Sequence, residues 1–348
     1  METEKIKVIV VDDSFLMRRI ISDIINSDGS LEVVARAKDG RDALEKVLSL
    51  SPDVVTLDIN LPDINGIDVL QEIMKKRPTR VIMLSAYTRS GASATMRALE
   101  LGAVDFIAKP AGEISLGLDK LKSEIIAKIK TAAKINLDKY LDGFRAKADI
   151  AEDKKKVSDT KKLVVIGAST GGPKAVLDIM RDIPVDIQAS FLIVQHMPKG
   201  FTQTFAERIG WQSGIRAKEA EESDSLAPGR VFVAPAGFHL VLEEYKDEVK
   251  IKLNQDPPVN FVRPSIDVTM LSTARIFGNN VIGVILTGMG KDGFEGVKKI
   301  KECGGKVIVQ DEATSVVWGM PGSVARAGLA DSILPLSNIA QELLKYIR

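Results

Sequence analysis

At 348 residues the chain is longer than one ordinary domain core and predicts two units. Lys and Arg number 48 against 47 Asp and Glu, so a net charge of +1 gives no electrostatic reason to expect nucleic acid as a partner. The single cysteine, Cys303, excludes an internal disulfide framework. The N-terminus lacks the basic-then-apolar layout of a signal peptide, and no apolar run reaches the ~18 to 20 residues of a membrane span, which predicts a cytoplasmic protein without membrane insertion.

In chain order, short β-branched runs at Ile6 to Val11, Leu31 to Ala35, Val54 to Leu57, Val81 to Leu84 and Val104 to Ile107 read as strands. Helix-period stretches such as Phe15 to Ile25 and Ala43 to Leu50 separate them. Strands this apolar predict a five-stranded parallel sheet covered on both faces, an α/β flavodoxin-like unit. Asp12 and Asp13 follow the first strand, Asp58 closes the third, Ser85 the fourth, and Lys109 with Pro110 the fifth. Residues at the carboxyl ends of parallel strands converge on one cleft. Taken singly, an Asp after a strand is an ordinary helix cap; three converging carboxylates instead need a compensating charge. A hard divalent cation such as Mg²⁺, held by Asp13 and Asp58 with Asp12 in the same acidic set, fits that need. Asp58 could then attack a phosphoryl donor, with Lys109 and Ser85 meeting the phosphoryl oxygens.

A helix is expected over Glu113 to Lys134. Eleven of the eighteen residues from Arg145 to Lys162 are charged, so the stretch cannot bury much apolar surface. The expected organisation is a first domain over 1–135, a charged linker over 136–162 and a second domain over 163–348.

The second domain opens with Leu163 to Ile166 and continues through strands at Phe191 to Val194, Val231 to Ala234, Val281 to Leu286 and Val307 to Val309. It reads as a doubly wound, mostly parallel α/β sheet with an inserted β-hairpin over His239 to Glu243 and Val249 to Leu253. After the first of these strands come Gly167, Ala168, Ser169, Thr170, Gly171 and Gly172. A dinucleotide loop is the weaker reading, since the glycine spacing does not give GxGxxG; a serine nucleophile on a tight turn is the other. That nucleophile needs a base, and the chain has two histidines. His196 ends the next strand on the same edge, whereas His239 begins a hairpin strand and reads as a turn or surface residue. Asp292, in a glycine-rich turn after the strand Val281 to Leu286, is the candidate to orient His196. The loop near Met289 could supply an oxyanion amide, and Thr170 a supporting hydrogen bond or a cap. Pro264 to Asp267 read as the start of a helix.

The set Val10 to Ser14, Leu57 to Pro62 with Gly66, Leu84 to Ala86 and Ala108 to Pro110 resembles response-regulator receivers over residues 5 to about 125. Phe106 stands where that family carries its switch aromatic. Ile166 to Gly172, Gln195 to Pro198, Pro257 to Ser265 and Leu286 to Gly293 together resemble the CheB family of chemotaxis protein-glutamate methylesterases over about 163 to 347. The resemblance implies Ser169 as nucleophile, His196 as base, Asp292 as orienting acid and Asp58 as phosphoacceptor. It also implies hydrolysis of glutamate methyl esters on chemotaxis receptors, deamidation of receptor glutamines, and a chemotaxis histidine kinase as phosphodonor, with no cofactor for the ester step. A non-enzymatic phosphorelay adaptor with a degenerate hydrolase-like output domain is the alternative.

Overall fold

The structure, a computed structural model, describes residues 5–86, 88–109, 118–137, 162–245 and 248–347. The chain divides into two compact units, Met1–Phe144 and Arg145–Arg348. Most of the expected linker, residues 138–161, lies outside the described residues, as does Pro110.

In the first unit, strands β1 (Ile6–Val11), β2 (Leu31–Ala37), β3 (Val54–Asp58), β4 (Arg80–Ser85) and β5 (Asp105–Ala108) form a sheet in the order β2-β1-β3-β4-β5. Every neighbouring pair is parallel. The order reverses between β1 and β3, so the loops after these strands diverge and leave a crevice at their carboxyl ends. Helices α1 (Phe15–Asn26), α2 (Gly40–Leu50), α3 (Gly66–Lys76) and α4 (Arg89–Glu100) are the crossovers, and α5 (Leu118–Ala133) follows the last strand. Their starts are written in the sequence: Ser14, Asp39, Asn65 and Thr88 each accept a hydrogen bond from an amide in the first turn of α1 to α4. Of the expected Glu113 to Lys134 helix, positions 113–117 lie outside the described residues.

The second unit is built on seven strands in the order β14-β13-β12-β6-β7-β9-β8. They are β6 (Lys162–Ala168), β7 (Ala189–Gln195), β8 (Arg216–Glu219), β9 (Arg230–Val233), β12 (Val281–Ile285), β13 (Lys306–Gln310) and β14 (Ser332–Leu334). All six pairings are parallel. Strands β10 (His239–Tyr245) and β11 (Glu248–Asn254) form the expected hairpin, which stands as its own antiparallel two-stranded sheet. The two edge strands β8 and β14 were not expected: one is a polar four-residue run and the other has three residues, too short to carry a period.

Helices α6 (Gly172–Arg181), α7 (Phe201–Ser213), α8 (Ile266–Phe277), α9 (Phe294–Glu302), α10 (Met320–Arg326) and α11 (Leu336–Ile347) cover the sheet. The start of α8 falls where Pro264 to Asp267 indicated, with Ser265 as its first capping residue. Helix α8 approaches the sheet closely because Gly167 in β6 has no side chain. A Cβ there would lie 2.6 Å from Cγ2 of Ile266. Gly167→Ala is therefore expected to destabilise this unit by roughly 1–3 kcal/mol through overpacking. Thermal unfolding would read this as a lower midpoint for the second unit, with that of the first unit unmoved.

Candidate active site

Strands β6 and β7 run side by side in register, with Ala168 opposite Gln195. Ser169 and His196 are the next residues of each, so parallel pairing alone makes them neighbours. The His196 amide donates to the Ala168 carbonyl at 3.1 Å, and the Ser169 amide donates to the Thr287 carbonyl at 3.0 Å, which ties in the loop after β12. That loop carries Asp292, whose Oδ2 lies 2.9 Å from Nε2 of His196. The ring is largely buried and the carboxylate is 3% exposed. Ser169 is half-buried, and its hydroxyl and the His196 ring are not hydrogen-bonded among the described residues. Such contacts commonly close only when substrate binds. With Nε2 committed to Asp292, Nδ1 is the nitrogen left to take a proton.

A buried carboxylate must be paired or hydrogen-bonded. Besides His196, Asp292 accepts from the Ile266 amide at 2.7 Å, the Ser265 hydroxyl at 2.7 Å, Nδ2 of Asn260 at 3.0 Å and the Asp267 amide at 3.3 Å. Burial pushes its pKa up, but the hydrogen bond and charge of His196, with the Ile266 and Ser265 donors, outweigh it and hold the carboxyl at about 2. Asn260 also donates to Oδ2 of Asp267 at 2.8 Å, and Oδ1 of Asp267 caps the Gly296 amide at 2.9 Å. Burial raises the Asp267 pKa, and the nearby charge of Asp292 adds to the rise.

His239 is not the turn or surface residue that its hairpin position indicated. It is 1% exposed, its Nδ1 accepts from the Ser265 amide at 3.2 Å, and its Nε2 lies 3.2 Å from the Pro257 carbonyl. It thus fixes the serine whose hydroxyl holds Asp292. Gln195, also buried, donates from Nε2 to the carbonyls of Ser169 at 2.8 Å and His196 at 3.1 Å, and so clamps the two strand ends together. Neither role has a signal in composition or period.

Beside Ser169 the backbone is packed too tightly for side chains. A Cβ on Gly172 would fall 2.1 Å from Oε1 of Gln195, and one on Gly288 would fall 2.8 Å from Cβ of Ser169. The Thr170 carbonyl accepts from the Thr287 hydroxyl at 2.9 Å, which in turn accepts from the Val317 amide at 2.9 Å. The amides of Thr170 and Gly171 have no acceptor among the described residues and open the N-terminus of α6. These are donors suited to a developing oxyanion. Met289 lies on the loop after β12 with its side chain 55% exposed.

In the first unit, carboxylate oxygens of Asp12, Asp13 and Asp58 lie within 4.8 Å of one another. Nζ of Lys109 pairs with Oδ2 of Asp58 at 2.6 Å and Oδ2 of Asp12 at 2.7 Å. Burial raises the Asp58 pKa; Lys109 opposes the rise and Asp12 adds to it. One lysine against three carboxylates leaves excess negative charge in an all-oxygen donor set, which fits a hard cation such as Mg²⁺. The Ser85 hydroxyl is turned to the Gly91 carbonyl at 3.0 Å. Phe106 is 3% exposed, and Nζ of Lys128 lies 5.1 Å from the centre of its ring.

The CheB methylesterase family model matches residues 164–343, and the response regulator receiver domain model matches residues 8–118. A protein-glutamate methylesterase/protein-glutamine glutaminase of Pyrococcus horikoshii is 46% identical over 99% of this chain and 94% of its own length. One of the same name from Thermotoga maritima is 45% identical over 98% of each. The crystal structure of the Thermotoga maritima CheB methylesterase catalytic domain, 44% identical, covers 54% of this chain and 99% of that one with a TM-score of 0.53. A receiver-type sheet followed by a hydrolase-type sheet, matched over nearly full length, makes this chain a member of the CheB methylesterase family.

Proposed function

We propose that the chain is a phosphorylation-controlled hydrolase of chemotaxis receptors: it removes methyl esters from receptor glutamates and deamidates receptor glutamines. The observation that carries the reading is the His196–Asp292 pair, at 2.9 Å, with His196 on the strand end beside that of Ser169. Relatives that match over nearly the whole chain bear both activities in their names.

In this reading Ser169 attacks the ester carbonyl while His196 takes the hydroxyl proton, and Asp292 stabilises the imidazolium that forms. The tetrahedral oxyanion meets the amides of Thr170 and of the Met289 loop, donors of a kind worth roughly 3–4 kcal/mol of barrier. His196 then passes its proton to the departing methoxide, giving methanol and a glutamyl ester on Ser169. Water, deprotonated by His196, hydrolyses that ester and frees the glutamate. For glutamine the same steps release ammonia.

Control comes from Asp58 as phosphoacceptor, with a chemotaxis histidine kinase as donor. Asp12, Asp13 and Asp58 would hold a Mg²⁺, which when bound would supply positive charge to the transferring group. Lys109, already paired with Asp58, supplies a second positive charge. Ser85 would leave the Gly91 carbonyl to reach a phosphoryl oxygen, with Phe106 following as the switch aromatic. No helix among the described residues is long and apolar enough to cross a membrane, and the enzyme acts on its receptors from the cytoplasm.

Methanol release from a methylated receptor fragment tests both units. Ser169→Ala should lower release by roughly 10⁴-fold or more. Asp58→Asn should keep basal release and lose only the stimulation by a small phosphodonor with Mg²⁺. Wild type that releases no methanol with or without phosphodonor would overturn the reading in favour of a phosphorelay adaptor.

The pH dependence of stability tests the buried carboxylate. A carboxyl held at about 2, below the ordinary 3.8, stabilises the fold while ionised. That contribution, on the order of 2 kcal/mol, is complete above about pH 4 and is lost as pH falls through 2. Asp292→Asn should melt well below wild type at about pH 6, and the gap should narrow towards about pH 3. A gap of constant size would show that the charge of Asp292 contributes nothing to the fold. The same variant should lose roughly 10⁴-fold in turnover.

A further inference from the structure

Phe261 is 101% exposed, the most exposed large apolar side chain among the described residues. It sits in a two-residue turn closed on both sides, with the Val259 amide donating to the Val262 carbonyl at 3.2 Å and the Val262 amide donating back at 3.0 Å. Both turn residues are left-handed, Asn260 at φ +52° and Phe261 at φ +65°. Asn suits the first position; the second favours Gly, and a bulky aromatic there is strained. Full exposure means that no packing within the unit offsets this strain.

The turn is nonetheless held in place. The side chain of Asn260 is spent on Asp292 and Asp267, at 3.0 Å and 2.8 Å, so the ring of Phe261 stands one residue from a direct contact to the candidate catalytic carboxylate. Two other exposed apolar side chains are close in sequence to these groups: Val259, next to Asn260, and Met289, three residues before Asp292. A rigidly placed, solvated aromatic beside a catalytic group is the form of an interface anchor, which gains energy only when a partner covers it.

Resting on the function proposed above, we infer that Phe261 is a specificity-determining residue: its ring docks on apolar side chains of the receptor beside the ester-bearing glutamate. A methyl ester is itself uncharged, so an apolar rim accepts the substrate group without a buried charge.

The test is Phe261→Gly, which removes the left-handed strain at this position, assayed in the full-length enzyme with Phe261→Leu beside it. Expected are a KM for the methylated receptor fragment raised about tenfold by Gly and less by Leu, with kcat within about twofold. Hydrolysis of p-nitrophenyl acetate should be unchanged, and the melting temperature equal or higher. An unchanged kcat/KM on the receptor fragment would overturn the inference, as would an equal loss on both substrates, which marks a role in holding the turn. Wild type that hydrolyses the small ester but no receptor ester sinks the functional reading and this inference with it, an outcome distinct from either of those.

Discussion

The second unit depends on keeping one buried carboxylate charged. Asp292 is 3% exposed, and an ion removed from water without partners would take up a proton. Its partners come from well-separated stretches of chain: His196 after β7, Asn260 from the turn before α8, and Ser265, Ile266 and Asp267 from the start of α8. The placement of α8 follows from the same need, because its orphan first-turn amides point at the carboxylate. Gly167 lets that helix end come close, and His239 fixes the backbone of Ser265 from behind. The charge that would steady a protonated His196 is therefore part of what fastens helix, hairpin and sheet together.

Asp58 in the first unit presents the opposite balance. Burial drives its pKa up, and Lys109 with one amide from Asn60 does not reverse the rise. Asp292 has its partners built in, whereas Asp58 is under-compensated. A carboxylate whose folded pKa is raised costs stability when it ionises, and a cation binding beside it returns that cost. In the proposed function this is the balance expected of a group whose chemistry waits on a bound ion, while a group orienting a histidine has to be ready before substrate arrives.

The strand ends were legible in sequence because parallel sheets write themselves as apolar runs, and polar residues directly after such runs have only the sheet edge to occupy. That logic placed Asp12, Asp58, Lys109, Ser169, His196 and Asp292 on two edges. The residues that hold them were not legible. The Ile266 and Asp267 amides act as donors through backbone position, which no side-chain pattern records. Gln195 and His239 face inward from strands whose alternation gives no sign of what they meet. Strands β8 and β14 lie at sheet edges, where burial is one-sided and the apolar signal fades.

The two units apply one geometric rule to different chemistry. In each, the carboxyl end of a parallel strand or the loop after it brings a carboxylate to the sheet edge, opposite a basic group. Lysine opposite Asp58 offers a fixed positive charge and keeps its protons, which in the proposed function leaves the carboxylate to act as nucleophile or ligand. Histidine opposite Asp292 presents a ring nitrogen to it at 2.9 Å, which in the proposed function confines the carboxylate to orienting and stabilising the ring. The sheets specify where the side chains meet, and in the proposed function the side chains specify which proton or phosphoryl group can move.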